Sequence, residues 1–250
     1  RYIRLILKMK KIPIPIALVI NLIFTQDHWE TAVFANDYWK YSVPNSEPDS
    51  NWNKEYFDDN NWNEGPGGFG YGDGDDGTII DQTLSVYFRA TFNVEEKTKL
   101  KRALISADYD DGFIAYLNGI EVARSYNLPE PGTFVPFDFV TYYDHEALFY
   151  NGDLPESIMI DSLSLDSILI YGLNVFAVQV HNVSETSSDL SGNFYLTFGV
   201  SDGSQFFSEP PSWFQEPMIY EQSHLPIIKI DTYGIQIPDE PRIPAYMGII

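Results

Sequence analysis

The dipeptide Asn118-Gly119 is the sequence feature that most restricts how this chain can fold. It accepts positive φ at both central positions of a type I′ turn, and it lies between two runs rich in apolar residues. The pattern predicts a β-hairpin whose facing pairs, outward from the turn, are Leu117 with Ile120, Tyr116 with Glu121, and Ala115 with Val122. Because side chains alternate along a strand, we expect one face of this ribbon in the core and the other in water.

The rest of the chain favours an all-β fold. From residue 29 onward, short apolar or aromatic runs are separated by Gly, Pro, Asn and Asp, without a long segment of helical period. Besides the two hairpin arms, the predicted strands cover residues 38–43, 84–94, 101–107, 157–160, 174–182 and 194–200. A helix of one or two turns is expected near 163–169. In the strand from Asn174, the apolar face of Phe176, Val178 and Val180 is predicted to point between two antiparallel sheets.

Four motifs occur in a characteristic order along the chain: Phe57-Asp58-Asp59-Asn60-Asn61-Trp62, Tyr87-Phe88-Arg89, Asp110-Asp111-Gly112 leading to Tyr116-Leu117-Asn118-Gly119, and Gly172-Leu173-Asn174-Val175-Phe176-Ala177-Val178-Gln179-Val180-His181-Asn182. Together they resemble the galactose-binding-like jelly roll attached to many secreted bacterial glycosidases and surface proteins. The resemblance spans roughly residues 37–200 and implies a two-sheet jelly-roll β-sandwich. It implies no single function, since this fold serves sugar binding, protein docking and packing between domains.

Composition excludes several classes of partner and chemistry. Fifteen basic against 36 acidic residues give a net charge of −21, which repels phosphate backbones, so nucleic acid is not an expected partner. The absence of cysteine excludes disulfides and thiolate chemistry, which leaves the apolar core and oxygen-bound hard cations as sources of stability.

The amino terminus predicts export. Residues 9–26 combine a basic start with a short apolar run, as in a secretory signal peptide, and residues 1–8 would precede the true initiator. Pro13 and Pro15 interrupt the run, and it is shorter than the roughly 20 apolar residues of a membrane-spanning helix, so no membrane span is predicted. We expect a secreted or cell-surface protein of bacterial type. The alternative is a buried N-terminal strand or helix.

The predicted domain organisation places the β-sandwich at 27–203 and a Pro-rich linker at 204–224. Residues 225–250 resemble the segment that precedes a spore-coat-protein-H-like (CotH-type) kinase module in multidomain surface proteins. On this interpretation the chain is the amino-terminal part of a longer protein, and 225–250 begin its next domain.

An acidic, glycine-rich loop is the predicted metal site. Asp73, Asp75 and Asp76 alternate with glycines, and such carboxylates can converge as oxygen ligands for calcium. The resemblance supports this interpretation, because galactose-binding-like modules often carry a structural calcium ion. The alternative is a solvated acidic turn.

The polar stretch after the hairpin is the predicted sugar site. A loop-borne tyrosine ring can stack on a sugar face while neighbouring polar groups bind hydroxyls, and the residues assigned to this role are Tyr126, Tyr142, Tyr143, Asp144, His145 and Glu146. The alternative is that the tyrosines only cover the ends of the sandwich.

The sequence contains no Gly-x-Ser-x-Gly elbow and no His-Glu-x-x-His helix, so we predict that this chain is not itself an enzyme and that any activity lies in a downstream domain. The leading hypothesis is an exported, non-catalytic module that binds carbohydrate or assists a larger surface protein. One alternative is an adaptor without a ligand, which positions a CotH-like kinase module. Another is a region associated with a glycoside hydrolase, with a catalytic site that the sequence does not reveal.

Overall fold

The computed structural model describes residues 27–72, 74, 76–160 and 162–217, together with the backbone of 228–231 and 246–249. The predicted signal peptide at 9–26 therefore lies outside the described residues. In chain order the strands are β1 (His28–Val33), β2 (Tyr38–Ser42), β3 (Asn63–Pro66), β4 (Phe69–Tyr71), β5 (Thr78–Ile79), β6 (Ser85–Val94), β7 (Leu100–Asp110), β8 (Gly112–Leu117), β9 (Ile120–Arg124), β10 (Glu156–Ile160), β11 (Gly172–His181), β12 (Leu190–Val200), β13 (Ile228–Asp231) and β14 (Tyr246–Ile249). One helix, α1 (Ser162–Ile168), lies where a short helix was predicted.

Two six-stranded sheets form the predicted β-sandwich. Sheet A has the order β10-β7-β12-β4-β5, with β1 also paired to β12, and sheet B has the order β3-β2-β6-β11-β8-β9. The strand pairs are antiparallel except for the short parallel pair β4 and β5. Separately, β13 and β14 pair with each other in the segment from 225 onward.

The core lies between the two sheets and is rich in aromatic rings. Phe194 of sheet A packs against Phe88 and Phe113 of sheet B at ring-centroid distances of 5.7 and 5.0 Å. The predicted apolar face of β11, including Phe176 and Val178, is fully buried in this core, which confirms its assignment. Each large side chain buried in this way contributes roughly 1.5–3 kcal/mol.

The hairpin is confirmed, with one correction to its register. Asn118 and Gly119 have φ of 49° and 79°, as a type I′ turn requires. The predicted pairs Leu117 with Ile120 and Tyr116 with Glu121 are present, but Ala115 lies opposite Ala123 instead of Val122. The reason is a β-bulge, in which Val122 is an extra residue on β9.

Packing against the sandwich continues beyond residue 203. Phe207 stacks on Phe198 at 5.5 Å, Ser208 forms a β-bridge with Thr31, and Trp213 packs on Tyr195 at 5.0 Å. These aromatic contacts anchor the proline-rich segment to sheet A over its first part. The boundaries 27–203, 204–224 and 225–250 stay a prediction.

Candidate functional site

The face of sheet B that points away from the core is buried, although the sequence predicted that this face of the β8–β9 hairpin lies in water. Along β11 this face carries Ala177, Gln179 and His181, which are 0%, 3% and 0% exposed. Two segments cover it: residues 52–62 form the first covering segment and residues 128–139 the second. Trp52 from the first segment packs on Tyr87 at 4.8 Å and on Tyr116 at 5.6 Å, and the second segment packs Leu128 and Val135 on Ile114.

Arg89 on β6 holds the first covering segment in place. Its Nε donates to the Asp59 carboxylate at 2.8 Å, and its Nη1 donates to the carbonyls of Lys54, at 3.0 Å, and of Trp52. The guanidinium also lies 5.2 Å from the centre of the Phe57 ring. The structure thus joins two of the sequence motifs, because the arginine of one binds the Phe57-Asp58-Asp59 loop of the other.

Between the two covering segments lies a cleft of about 390 Å³, here called the sheet B cleft. Its aromatic lining comes from Trp52, Tyr116 and Phe134, and Phe134 is 71% exposed. Its polar lining comes from Glu47, Ser50, Asn53, Glu121, Thr133 and Gln179. A cleft that combines ring surfaces with a few polar groups is the usual form of a small-ligand site.

Four buried polar atoms on this side of sheet B have no hydrogen-bond partner among the described residues. Asn53 Oδ1 and Gln179 Nε2 belong to residues that line the cleft. The other two are Tyr87 Oη and His181 Nε2, on the same face of the sheet. An unpartnered buried polar atom is costly and rare in native proteins, so four in one region mark it as unusual.

The two carboxylates and the Tyr116 phenol at the cleft differ in how they are bonded and protonated. Glu121 accepts from Arg124 Nε and Nη2 at 2.8 and 2.9 Å, so its charge is balanced. Glu47 accepts from the backbone N–H of Phe137 at 3.0 Å. Burial raises the pKa of Tyr116 well above its ordinary value, so its hydroxyl keeps its proton and can donate to a ligand.

The residues of the predicted sugar site do not form a single cluster in the structure. His145 stacks on Tyr109 at 4.1 Å, its Nε2 lies 3.1 Å from Glu156 Oε1, and the Tyr126 ring lies 6.4 Å away. Burial lowers the pKa of His145, but the hydrogen bond and charge of Glu156 outweigh it and raise the pKa overall. The structure therefore brings Tyr126 and His145 together.

The other members of the predicted sugar site lie apart from this pair. Tyr142 and Tyr143 are 57% and 64% exposed, and Tyr142 packs on Phe139 at 5.6 Å. No ring contact joins either tyrosine to Tyr126 in the part of the chain that the structure describes. Asp144 is exposed, and Glu146 belongs to an acidic cluster. The tyrosines remain a candidate sugar surface on the outside of the sandwich.

An acidic cluster could hold a metal ion. Carboxylate oxygens of Asp110, Glu146 and Asp189 lie within 4.8 Å of one another. Burial, followed by the charges of Asp111, Asp189 and Glu146, raises the pKa of Asp110 to about 8. Oxygen ligands so close together suit a hard divalent cation such as calcium, whose charge relieves their repulsion.

Gly72, at the start of the predicted calcium loop, lies beside this cluster. Asp73 and Asp75 are outside the described residues, whereas Asp76 is half-buried. A Cβ on Gly72 would meet Asp189 and the carbonyl of Ser188, so the loop backbone touches the segment that carries one of the cluster's ligands. The described start of the loop is therefore a neighbour of the cluster.

Sequence reasoning missed the sheet B cleft. Gln179 carries the one available signal, since it is an amide within the apolar run 175–180 of β11, at a position that faces away from the core. Trp52 and Asn53 lie in a turn-rich segment, where no periodic pattern marks a residue as part of a site.

No family model matches the chain, and no curated protein sequence matches it. Among solved structures, a β-glucuronidase from glycoside hydrolase family 2 has 16% identity and a TM-score of 0.43 over 70% of this chain and 18% of its own. A β-glycosidase from Bacteroides vulgatus has 17% identity and a TM-score of 0.41 over 67% of this chain and 20% of its own. A calcium-binding mutant of Bacteroides uniformis β-glucuronidase 2 has 14% identity and a TM-score of 0.42 over 69% of this chain and 18% of its own. The chain spans about a fifth of the length of these enzymes. The CotH-type resemblance of 225–250 receives no support from these comparisons.

No helix in the described part of the chain has the length and apolarity that a membrane span requires.

Proposed function

We propose that this chain is a non-catalytic carbohydrate-binding module of a larger exported protein. The observation that carries the proposal is the sheet B cleft, where the rings of Trp52, Tyr116 and Phe134 are combined with the amides of Asn53 and Gln179. Sugars present both apolar ring faces and hydroxyl groups, and this lining offers a partner for each.

Two features support a binding role over a catalytic one at this cleft. Its carboxylates, Glu47 and Glu121, are both engaged, the first by a backbone N–H and the second by Arg124. No histidine lines the cleft among the described residues. Arg124 bonds both carboxylate oxygens of Glu121, so the cleft does not offer the two freely accessible carboxyl groups that most glycosidases use.

The loop that carries Tyr142 and Tyr143 is the second candidate surface for sugar, because both rings are more than half exposed. If sugar binds to this loop, the proposed carbohydrate-binding function still holds, but the site is the loop and not the sheet B cleft. A matched pair of substitutions separates the two surfaces. Phe134 is 71% exposed and Tyr143 is 64% exposed, so neither alanine replacement should disturb the fold.

The test is a glycan array probed with the full chain, followed by calorimetric titration of the best ligand. We expect Phe134→Ala to weaken binding at least tenfold and Tyr143→Ala to leave it unchanged. The reverse result would place the site on the tyrosine loop. Absence of binding across plant, algal and host glycans would favour the adaptor hypothesis, in which the chain positions a downstream CotH-like module. Turnover of a glycoside by the chain would instead support the glycoside-hydrolase alternative.

We further propose that the module is exported and carries a structural calcium ion. Export is supported by the signal-like residues 9–26, and N-terminal sequencing of envelope material should find a mature start near Gln26 or Asp27. Calcium is supported by the cluster of Asp110, Glu146 and Asp189. We propose that Asp73, Asp75 and Asp76, the ligands predicted from the sequence, complete this set.

A further inference from the structure

Two amide side chains in the sheet B cleft are buried without using all their hydrogen-bonding capacity. Gln179 is 3% exposed and Asn53 is 8% exposed. Gln179 Nε2 is a donor and Asn53 Oδ1 is an acceptor, and neither has a hydrogen-bond partner among the described residues. Both residues line the cleft, while each unused atom has almost no exposed surface of its own and lies just beneath the cleft wall.

Two other buried asparagines, one in β11 and one just after it, behave differently. Asn174, at the other end of β11, donates from Nδ2 to the carbonyls of Ile170 and Gly172 at 2.8 and 2.9 Å. Asn182, just after β11, donates to the carbonyl of Asp189 at 2.9 Å and to the Tyr71 hydroxyl at 3.1 Å. The fold therefore satisfies its structural amides, and this contrast separates Gln179 and Asn53 from them.

We propose that Gln179 and Asn53 are the specificity-determining pair of the cleft and recognise hydroxyl groups of an uncharged sugar ring. This inference rests on the proposed carbohydrate-binding function. A hydroxyl group both donates and accepts, so a sugar can accept from Gln179 Nε2 and donate to Asn53 Oδ1 once the two amide side chains turn toward the cleft on binding. Both amides are uncharged, so the contact suits hydroxyls better than carboxylates. A site built to bond a hydroxyl rejects an analogue that lacks it, because its own buried groups are then left unpaired.

The geometry also explains how the pair is held. Gln179 lies between Tyr87 of β6 and Ile114 of β8 in the register of sheet B, so its stem is fixed by neighbours on both sides. Asn53 follows Trp52, whose carbonyl is bound by Arg89. The two amides are thus placed by a rigid strand and by an anchored loop, and such support keeps a binding site in its productive arrangement.

The experiment measures stability and affinity on the full chain with two classes of substitution. Gln179→Met and Asn53→Leu remove the unpartnered groups while keeping volume, so without ligand the thermal midpoint should stay the same or rise. Affinity for the best array glycan should fall at least tenfold in each. Asn174→Leu is the matched control, because that amide is fully bonded, and it should lower the thermal midpoint clearly.

Deoxy derivatives of the same glycan complete the test. One of them should bind wild-type protein at least tenfold more weakly, and that loss should vanish in Gln179→Met, since the lost hydroxyl and the lost amide are partners. Wild-type protein that binds no glycan would refute the proposed function. Wild-type protein that binds, with Gln179→Met and Asn53→Leu binding equally well, would overturn only the assignment of the pair. A lower midpoint for Gln179→Met would also overturn it, because the amide would then have a structural role.

Discussion

Replacement of Arg89 by methionine should be among the most damaging single changes to the described structure. The guanidinium is buried, with its side chain only 2% exposed, while its partner Asp59 is 23% exposed. Methionine keeps most of the volume and removes every donor. Asp59 and the carbonyls of Trp52 and Lys54 would all lose a charged donor at once.

The free energy of unfolding should fall by roughly 3–5 kcal/mol in Arg89→Met, the range seen when one partner of a buried ion pair is removed. Partial access of water to Asp59 favours the lower end, about 3 kcal/mol. In a folded unit of this length that loss lowers the thermal midpoint by roughly 6–12 °C.

Urea unfolding at neutral pH, followed by tryptophan fluorescence, measures this effect. The matched control is Lys40→Met. Lys40 lies directly opposite Arg89 in the register of β2 and β6, and its pair with Glu64 is exposed, at 31% and 52%. Exposed pairs contribute little, so this variant should unfold close to wild type. Equal urea midpoints for Arg89→Met and Lys40→Met would refute the role of Arg89 as the anchor of the first covering segment. Glycan affinity should also fall in Arg89→Met, because Trp52 loses its anchor.

Three further outcomes are expected. Gly119→Val should cost roughly 1–3 kcal/mol in a thermal melt, because φ is 79° there, and an unchanged melt would show that the turn does not support the cooperative core. Burial lowers the pKa of His181 to about 4, below the value of about 6.5 in the unfolded chain, so stability should fall as the pH drops from about 6.5 to about 4, by up to roughly 1.4 kcal/mol per pH unit. His181→Gln should flatten this slope in unfolding curves measured between pH 4 and 7, and an unaltered slope would assign it to other groups. Calcium at 100 times its dissociation constant should stabilise chelator-treated protein by about 2.7 kcal/mol. Asp189→Asn should abolish that response and the exposed control Asp153→Asn should keep it, whereas a response that persists in Asp189→Asn would place the ion elsewhere.

Local sequence patterns were sufficient to predict β2, the strands from β6 to β12 and the turn between β8 and β9, but not β1 or the short strands β3, β4 and β5. The turn depends only on which residues accept positive φ, and Asn118 and Gly119 are such residues. The inward face of β11 was also predictable, because side chains alternate with a period of two and one face is wholly apolar. The β-bulge at Val122 was not, since the number of residues facing each other across two strands is set by pairing and not by either strand alone.

The sites were decided by tertiary structure. The acidic cluster joins residues 110, 146 and 189, and only the meeting of strand ends and loops brings them within 4.8 Å. The sheet B cleft forms because Arg89 binds a loop 30 residues earlier in the chain and holds it over the second face of the sheet. Alternation shows that Gln179 points away from the core, but it does not show what covers that face. A solvated amide and a buried amide at a ligand cleft have the same sequence pattern, and their difference is created by distant segments that exclude water from one of them.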